Sequence, residues 1–482
     1  MSRIKVASLF SGAGGLDLGF VLAGGYEIVF ANEILKVHAE TYSHNLGLKI
    51  ADCGKEEVEA ERGKVFACDV AQVDFTPLKG EADVLIGGPP CQDFSIIRGP
   101  EAKRKGIRVR RGRLYAHFVR ALVQIQPKAF VFENVPGLVS ANRGLAYKTI
   151  LEDLRKLNIR WEEVKRVIGA TPSAKGVQGY EVIFAGVVDM TKHGVPQKRE
   201  RLIIIGLRKD LAEELGARKF GSEYWRLKGE VESALKGSGL PFARFPMTPI
   251  EVFEGRPLPE LGDKYREVMK EWEGVWKEVG TPRALEWKMK VWDKLTFDIV
   301  EDYLRANRIR KASESELEEA FKAHEALLRE LGYLGVRVAD LAPPDGTNRI
   351  PREKPSVIER LKRIPPGENH EFVRGTKWEV KGLMSNIYRR LHPLVPAPTV
   401  IAYGGGGTWG YHYERSRGML TNRERARLQT FPDWFLFSGS WSQVRAQIGE
   451  AVPPLASKRI AEALRAVLRG GLLETAEPAG TA

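Results

Sequence analysis

The chain has 482 residues, 43% of them hydrophobic, and carries a formal net charge of +13 at pH 7. This length predicts two or three domains, and the excess of lysine and arginine indicates a polyanionic partner, although a generally basic protein would have the same balance. Three cysteines without a C-x-x-C pair exclude a disulfide scaffold and a cysteine-rich zinc site, and no apolar run or leader indicates a membrane span or secretion, so we expect a soluble, cytoplasmic protein.

Short apolar runs alternate with amphipathic stretches over the first 208 residues. The alternation predicts a mostly parallel α/β sheet with helices on both faces. The predicted strands are 4–10, 26–31, 83–86, 129–132, 180–187 and 201–207, and the clearest predicted helices are 115–125 and 146–157.

This alternation ends after residue 208, where the content of charged residues, proline and tryptophan increases. Ser313 and Glu316 form a potential capping box ahead of a helical apolar pattern that stops at Gly332. Four tryptophans in this half could stack on nucleic-acid bases, but their spacing is more typical of core; they are Trp272, Trp276, Trp287 and Trp292. Helices are predicted again at 421–428 and 457–468.

A glycine-rich loop follows the first predicted strand, with the sequence FSGAGG at 10–15. Such a loop lets the backbone approach a ligand, but nicotinamide, flavin and S-adenosylmethionine sites all use one. Glu33 ends the next strand and could hold ribose hydroxyls, while Asp69 follows a third apolar stretch and could reach an adenine amino group. Each acid alone is more typical of a cap or turn; together with the loop they favour an adenosine-containing cofactor.

Cys91 lies in a rigid GGPPCQ loop directly after a strand, where α/β sheets place active sites. The basic residues that follow would help to hold its thiolate. Cys53 and Cys68 lack this setting, and we interpret them as buried filler. Residues 98–113 contain eight basic residues against one acid, which we interpret as a lid over a phosphate backbone rather than a solvated face.

Two further patterns are candidates for chemistry. Glu133 ends an apolar strand, where desolvation would raise the pKa of its carboxyl and make it a proton donor near neutral pH. Gln197, Arg199 and Arg201 alternate, so their side chains would share one face at the start of a strand and could meet substrate or phosphate.

The ordered set of these motifs closely resembles the DNA (cytosine-5) methyltransferase family of the prokaryotic restriction-modification type. The matching stretches are FSGAGG at 10–15, PCQ at 90–92, ENV at 133–135, QKRER at 197–201, RGMLTNRERAR at 417–427 with FPD at 431–433, and QIGEAVPP at 447–454. Residues 397–406 also resemble the end of the family's target-recognition domain. The resemblance covers about the first 208 and the last 85 residues.

The resemblance implies a Rossmann-like S-adenosylmethionine-dependent fold and assigns roles to individual residues. Cys91 would attack C6 of a flipped-out cytosine while Glu133 assists at N3, with Gln92, Asn134, Arg199 and Arg201 completing the catalytic set. The implied cofactor contacts are Phe10, Ser11, Gly12, Gly14, Gly15, Leu16, Glu33, Ile34, Asp69, Val70, Pro90, Leu114, Glu450, Ala451 and Val452. The implied DNA contacts are Arg98, Arg104, Arg108, Arg110, Arg111, Gln197, Thr399, Tyr403 and Gly405.

The sequence departs from the family pattern in two places. Glu450 replaces the usual asparagine of a Gly-Asn-Ala-Val turn, and the segment after the QKRER motif is long for a member. We expect a catalytic and cofactor-binding domain at 1–208, a target-recognition domain at 209–416 with a helical insert near 262–333, a segment at 417–470 that returns to the catalytic domain, and a flexible tail at 471–482.

The prediction is a monomer that acts on double-stranded DNA, associates with the nucleoid through DNA binding, uses no metal, and has a possible partner restriction endonuclease. RNA methylation is a second enzymatic alternative, but the family's RNA branch lacks a long recognition domain. A DNA-binding protein on an inactive scaffold would predict damage to the catalytic set, which is intact. A nicotinamide-dependent dehydrogenase would leave the PCQ and ENV motifs unexplained.

Overall fold

The structure is a computed structural model that describes residues 2–54, 56–90, 113–157, 177–380, 387–402 and 410–472. The chain divides into two compact units. Unit 1 comprises Met1–Asp189, Glu200–Ser238 and Val452–Ala482, and unit 2 comprises Met190–Arg199 and Gly239–Ala451. Compared with the predicted boundaries, residues 209–238 fall in unit 1, and residues 417–451 fall in unit 2.

Unit 1 is built on an eight-stranded sheet with the order β3-β5-β2-β1-β7-β8-β10-β9. The pairs are parallel except that β10 runs antiparallel to both β8 and β9. The strands, including the separate pair β4 and β6, are β1 Ile4–Leu9, β2 Tyr26–Glu33, β3 Lys49–Ala51, β4 Val58–Glu59, β5 Lys64–Ala67, β6 Val73–Asp74, β7 Val84–Gly87, β8 Ala129–Asn134, β9 Tyr180–Asp189 and β10 Glu200–Arg208. All six predicted strands are therefore confirmed, as is the mostly parallel α/β sheet.

The helices are distributed over both units. In chain order they are α1 Gly15–Ala23, α2 Lys36–Leu46, α3 Arg113–Ile125, α4 Gly137–Ser140, α5 Leu145–Lys156, α6 Lys209–Glu214, α7 Glu223–Leu235, α8 Pro249–Glu254, α9 Gly262–Lys270, α10 Val275–Val279, α11 Pro282–Lys290, α12 Ile299–Ala306, α13 Glu314–Glu330, α14 Pro355–Leu361, α15 Asn422–Leu428, α16 Trp441–Glu450 and α17 Pro454–Leu472. None of those in the described part of the chain is long and apolar enough to cross a membrane.

The central strands of the sheet are buried, which explains why they appear in the sequence as short apolar runs. The side chains of Val84, Leu85 and Ile86 in β7 are fully buried, as expected for a central parallel strand with both faces covered. The last helix, α17, completes this unit by packing on α1. A side chain at Gly19 would lie 2.3 Å from the Cβ of Ser457, so the close approach of the two helices requires a glycine there.

Unit 2 is mainly helical, and its tryptophans form core as predicted. Trp272, Trp276 and Trp287 are buried in one apolar cluster, against which Trp292 packs. The predicted capping box at the start of α13 is present, with the Ser313 hydroxyl accepting from the backbone of Glu316. Gly332 ends this region with a φ of +74°.

Cys53 and Cys68 correct the sequence interpretation. Both are buried as predicted, but they are joined in a disulfide rather than acting as filler. Cys53 follows β3 and Cys68 follows β5, and these strands are parallel neighbours in which Ala51 pairs with Phe66. The carboxyl ends of the two strands therefore lie side by side, which places the two Cα atoms 5.9 Å apart, within the range that a disulfide spans.

Candidate active site

The carboxyl ends of β1, β7 and β8 meet at the point where the strand order reverses. Chain order runs outward from β1 to β2 on one side and from β7 to β8 on the other. The register pairs Leu9 with Gly87 and Gly87 with Phe132, so the loops that follow these three strands lie at one edge of the sheet. Open α/β sheets bind their ligands at such a switch point.

The glycine loop after β1 has an unusual backbone. Phe10 has a φ of +55°, and Gly12 and Gly14 have φ values of +56° and +91°. A bulky residue in the left-handed region is a genuine outlier of the kind that concentrates at functional sites. A side chain at Gly14 would lie 2.7 Å from Leu46 and 2.9 Å from Tyr42, so the loop is packed closely against α2.

The carboxylate of Glu33 is bound to the glycine loop. One oxygen accepts the backbone N–H of Gly12 at 2.8 Å, and the other accepts the N–H of Leu35 at 2.9 Å. In dinucleotide-binding loops such amides and the helix N-terminus behind them bind a phosphate. Here a carboxylate already occupies a loop amide, and the buried carboxyl of Asp17 lies in the first turn of α1. The arrangement favours an adenosine-containing cofactor without phosphates.

The predicted adenine side of the site lies on the neighbouring strand end. Asp69 caps the short helical turn Val70–Gln72 by accepting the N–H of Ala71 at 2.9 Å. The side-chain amide of Asn32 donates to the carbonyl of Cys68 at 3.1 Å, which holds this loop beside Glu33. Ile34 follows Glu33 and is 62% exposed, so it offers an apolar surface at the end of β2.

Glu133 and Arg201 form an ion pair at the end of β8. The Nε of Arg201 lies 3.0 Å from a Glu133 carboxylate oxygen, and both side chains are mostly buried. A Cβ at Gly88 would lie 2.6 Å from the other oxygen, so this glycine gives the carboxylate access to the loop after β7. The amide of Asn134 donates to the carbonyl of Pro89 at 3.0 Å and its oxygen accepts the N–H of Val135, which fixes the turn that leads to residue 91.

Gln197 and Arg199 belong to unit 2 and precede β10, which begins at Glu200 and contains Arg201. Gln197 is fully buried; its amide donates to the carbonyl of Leu428 and accepts the N–H of Val400. The buried guanidinium of Arg199 donates to carbonyls at the end of α16, including that of Ala451 at 2.8 Å. These contacts hold the turn that contains Glu450.

Several other predicted site residues lie in the described part of the chain, and their roles in binding stay predictions. Ser11 and Leu16 are buried in and behind the glycine loop, Val452 is buried, Leu114 is half-buried at the start of α3, and Pro90 is exposed. The hydroxyl of Thr399 donates to the carbonyl of Lys198. The predicted residues that lie outside the described part of the chain are Cys91, Gln92, Arg98, Arg104, Arg108, Arg110, Arg111, Tyr403 and Gly405.

Arg120 is a buried residue beside the candidate site that the sequence interpretation did not single out. Its guanidinium donates to the carbonyls of Val70 and Val73, both at 2.8 Å, and thereby holds the loop after Asp69. Burial lowers the pKa of Arg120 to about 10, although nearby acids including Asp74 oppose the shift. The signal was a lone arginine inside the apolar helical pattern of 115–125, since a buried arginine must have acceptors.

The fold and these contacts together define a class. It is an α/β enzyme with a glycine loop and two carboxylates, Glu33 and Asp69, at neighbouring strand ends, which suits a phosphate-free adenosine cofactor, and with a third carboxylate, Glu133, at the same sheet edge. Among the described residues there is no cluster of metal-binding side chains.

Comparisons with known proteins identify the family. A family model for C-5 cytosine-specific DNA methylases matches residues 4–466, and the chain belongs to this family. It is 64% identical over 471 residues to the DNA (cytosine-5-)-methyltransferase M.ApeKI of Aeropyrum pernix, covering 97% of this chain and 99% of that protein. It is 31% identical over 464 residues to the type II methyltransferase M.NgoFVII of Neisseria gonorrhoeae, covering 96% and 87%.

A solved structure supports the fold. It is described as a DNA modification methyltransferase encoded within a prophage of E. coli, and it matches with a TM-score of 0.52 at 22% identity, covering 97% of this chain and 99% of that chain. The enzymes of this family methylate C5 of cytosine in DNA and take the methyl group from S-adenosylmethionine.

Proposed function

We propose that the protein methylates C5 of a cytosine that is flipped out of a specific short sequence in duplex DNA. The similarity to type II methyltransferases over nearly the whole chain supports a role as the modification enzyme of a restriction-modification system. A monomer in the cytoplasm, acting on the same site as a cognate endonuclease, fits this proposal.

The pairing of Glu133 with Arg201, beside Gly88 in the sequence that leads to Cys91, carries the mechanistic proposal. Cytosine C5 is a poor nucleophile, so the ring must be activated. The thiolate of Cys91 adds to C6 while Glu133 hydrogen-bonds or protonates N3, which places electron density on C5. After C5 is methylated, loss of its proton expels the Cys91 thiolate and restores the aromatic ring.

The remaining residues bind and orient. Phe10 and Ile34 offer apolar surface to the adenine, Glu33 accepts from the ribose hydroxyls, and Asp69 accepts from the adenine amino group. Bound there, S-adenosylmethionine supplies an electrophilic methyl group on its sulfonium. Asn134 fixes the turn before Cys91, Arg201 orients Glu133, and Arg199 holds the turn at 449–451. Flipping the base costs a few kcal/mol, which backbone contacts from the arginines of 98–113 would offset.

The test is incubation with methyl-labelled S-adenosylmethionine and plasmid DNA, followed by bisulfite sequencing. Protected cytosines at one recurrent short motif are expected. Cys91→Ala should abolish transfer and leave DNA binding intact, while Glu133→Gln should slow transfer by about 10²–10⁴-fold. DNA that stays unlabelled despite binding would overturn the proposal in favour of an inactive scaffold, and label in tRNA alone would redirect it to RNA.

A further inference from the structure

The disulfide between Cys53 and Cys68 lies next to the proposed adenine contact. Cys68 directly precedes Asp69, and its carbonyl accepts from Asn32, the neighbour of Glu33. Both cysteines are nearly buried, at 6% and 8% exposure, within the main core cluster of unit 1. The disulfide therefore joins the two ends of segment 53–68, and the last residue of this segment directly precedes the proposed adenine contact.

The segment that the disulfide closes is held at several points. It spans 15 residues of separation; its strand β5 pairs with β2 and β3, and the side-chain amide of Gln72 donates to the carbonyls of Gly54 and Glu56. At its start, Ala51 and Asp52 are partly or fully exposed, as are Gly54 and Glu56. On the carboxyl side, the loop after Cys68 is fixed by Asn32 and by Arg120, which donates to the carbonyl of Val70 at 2.8 Å. The disulfide adds a covalent link between the loop after β3 and the residue before Asp69.

We propose that Cys53 and Cys68 are positioning residues for cofactor binding, since their disulfide holds Asp69 and Val70 in the geometry that receives the adenine. This inference rests on the proposed function in assigning Asp69 to the adenine amino group. Asp69 already directs one carboxylate oxygen to Ala71, so a small shift of its backbone misdirects the other oxygen. Loss of the disulfide lowers affinity for S-adenosylmethionine and leaves the chemistry at Cys91 and Glu133 unchanged.

The bond itself is tested by counting thiols. The chain has three cysteines, so the purified protein, denatured in an alkylating reagent without reductant, should take up one alkyl group, on Cys91. After reduction with a phosphine it should take up three. Uptake of three groups without reductant would overturn the proposal, and this result is independent of whether the protein binds S-adenosylmethionine at all.

The positioning role is tested by titrating S-adenosylmethionine into wild type and the Cys53→Ala/Cys68→Ala variant in a calorimeter. The dissociation constant should rise about tenfold, comparable to the loss of one well-placed hydrogen bond, and KM for the cofactor should rise while kcat stays within about twofold. Wild type reduced with phosphine, its thiol count confirmed, should match the variant and serves as the test if the variant does not fold.

Two further variants separate positioning from general stability. Leu154→Ala removes a fully buried side chain from α5 in the same core cluster, so it should lower the melting temperature without changing cofactor affinity. In an Asp69→Ala background, removing the disulfide should weaken binding no further, because both changes act through one interaction. Additive losses, or equal affinity of oxidised and reduced protein, would refute the positioning role. If oxidised wild type binds no S-adenosylmethionine, the proposed function fails instead.

Discussion

The Glu133 carboxylate can approach the loop after β7 because residue 88 has no side chain. A Cβ there would lie 2.6 Å from a carboxylate oxygen, and the flexible carboxylate can move aside more easily than the backbone. Gly88→Ala should therefore leave the melting temperature nearly unchanged and lower kcat by about 10-fold or more, because misplacement of a catalytic group by a fraction of an ångström is costly. Single-turnover methylation kinetics would measure the effect.

The matched control is Gly229→Ala. Gly229 lies inside α7 with open space around its Cα, so alanine there should be neutral or stabilise the helix by about 0.5–1 kcal/mol. A Gly88→Ala enzyme with wild-type kcat would show that the Glu133 position does not depend on this glycine.

Asp17 gives unit 1 a pH-dependent stability. Its carboxyl is fully buried, with the Tyr42 hydroxyl donating to one oxygen at 2.8 Å, and burial raises its pKa to about 6 from 3.8. The folded state thus holds the proton more tightly than the unfolded state, so stability falls as the pH rises from about 4 to about 6 and stays lowered above it. Asp17→Asn removes this cost and should stabilise the protein by about 2–3 kcal/mol at pH 7.5 but little at pH 4.

Calorimetric melting at the two pH values measures this effect. The exposed Asp52 is the control, since Asp52→Asn should change neither melting temperature by more than about a degree. A destabilised Asp17→Asn protein at pH 7.5 would mean that the ionised carboxylate contributes more than its burial costs.

The sequence located some candidate residues, but not the partners of others, for physical reasons. Glu33 and Glu133 were placed at the sheet edge because each ends an apolar strand, and strand ends in a parallel sheet converge. Gln197 and Arg199 were assigned to a substrate-facing strand because alternation of polar residues is typical of a strand. Their side chains satisfy backbone carbonyls in unit 2, and their contact with substrate stays a prediction. A buried arginine with backbone acceptors looks the same in sequence as one that binds phosphate.

At the scale of elements, the helical region near 262–333 belongs to the core of unit 2. After α13, the buried Tyr333 hydroxyl donates to the carbonyl of Phe431 at 2.6 Å, and the guanidinium of Arg427 lies 4.5 Å from the centre of its ring. Arg427 is itself fully buried in α15 and pairs with Asp433. The region that had no assigned role therefore supports the helix that carries the family's RGMLTNRERAR motif.

A buried ion pair joins α13 to α8. The two ring nitrogens of His324 lie 2.8 Å from a carboxylate oxygen of Glu251 and 2.9 Å from the carbonyl of Phe245. Both partners are acceptors, so both nitrogens carry protons. Burial opposes this charge, but the Glu251 carboxylate and the carbonyl outweigh it and raise the pKa of His324.

The stabilisation by this pair is full below pH 6.5, the ordinary pKa of histidine, and is lost as the pH rises through the raised value in the folded protein. His324→Gln should destabilise unit 2 by about 3 kcal/mol at pH 6, and the gap to wild type should narrow toward pH 9.5. Melting temperatures over this range measure it. Glu325→Gln, next to it on the exposed face of α13, is the control. A constant gap at every pH would show that His324 is neutral.

At the scale of the whole molecule, the alternation of apolar runs with amphipathic stretches in the sequence was sufficient to predict the sheet. It was not sufficient to predict how the chain divides into two units. Residues 209–238 have no strand pattern, yet α7 packs in unit 1. Likewise, the sequence around Cys53 and Cys68 does not reveal that β3 and β5 are neighbours, because β3 has only three residues and gives no periodic signal. Pairings between such short strands depend on tertiary packing, which a local pattern does not record.

The net charge of +13 raises the question of whether DNA affinity comes from the whole molecule or from the basic segment at 98–113. Two variants separate these sources. The first neutralises four arginines of the segment, Arg104, Arg108, Arg110 and Arg111, and the control neutralises four exposed residues elsewhere, Arg218, Lys219, Arg226 and Lys236. Both variants have a net charge of +9, since 13 − 4 = 9. If the segment binds phosphates, only the first variant should show a shallower dependence of affinity on salt, by about 0.9 in log–log slope for each phosphate that is no longer neutralised. Its loss of affinity should be largest at low salt.

Fluorescence anisotropy with a duplex between 50 and 300 mM salt, about a sixfold range, measures both slopes. Equal slopes for the two variants would assign the affinity to net charge alone.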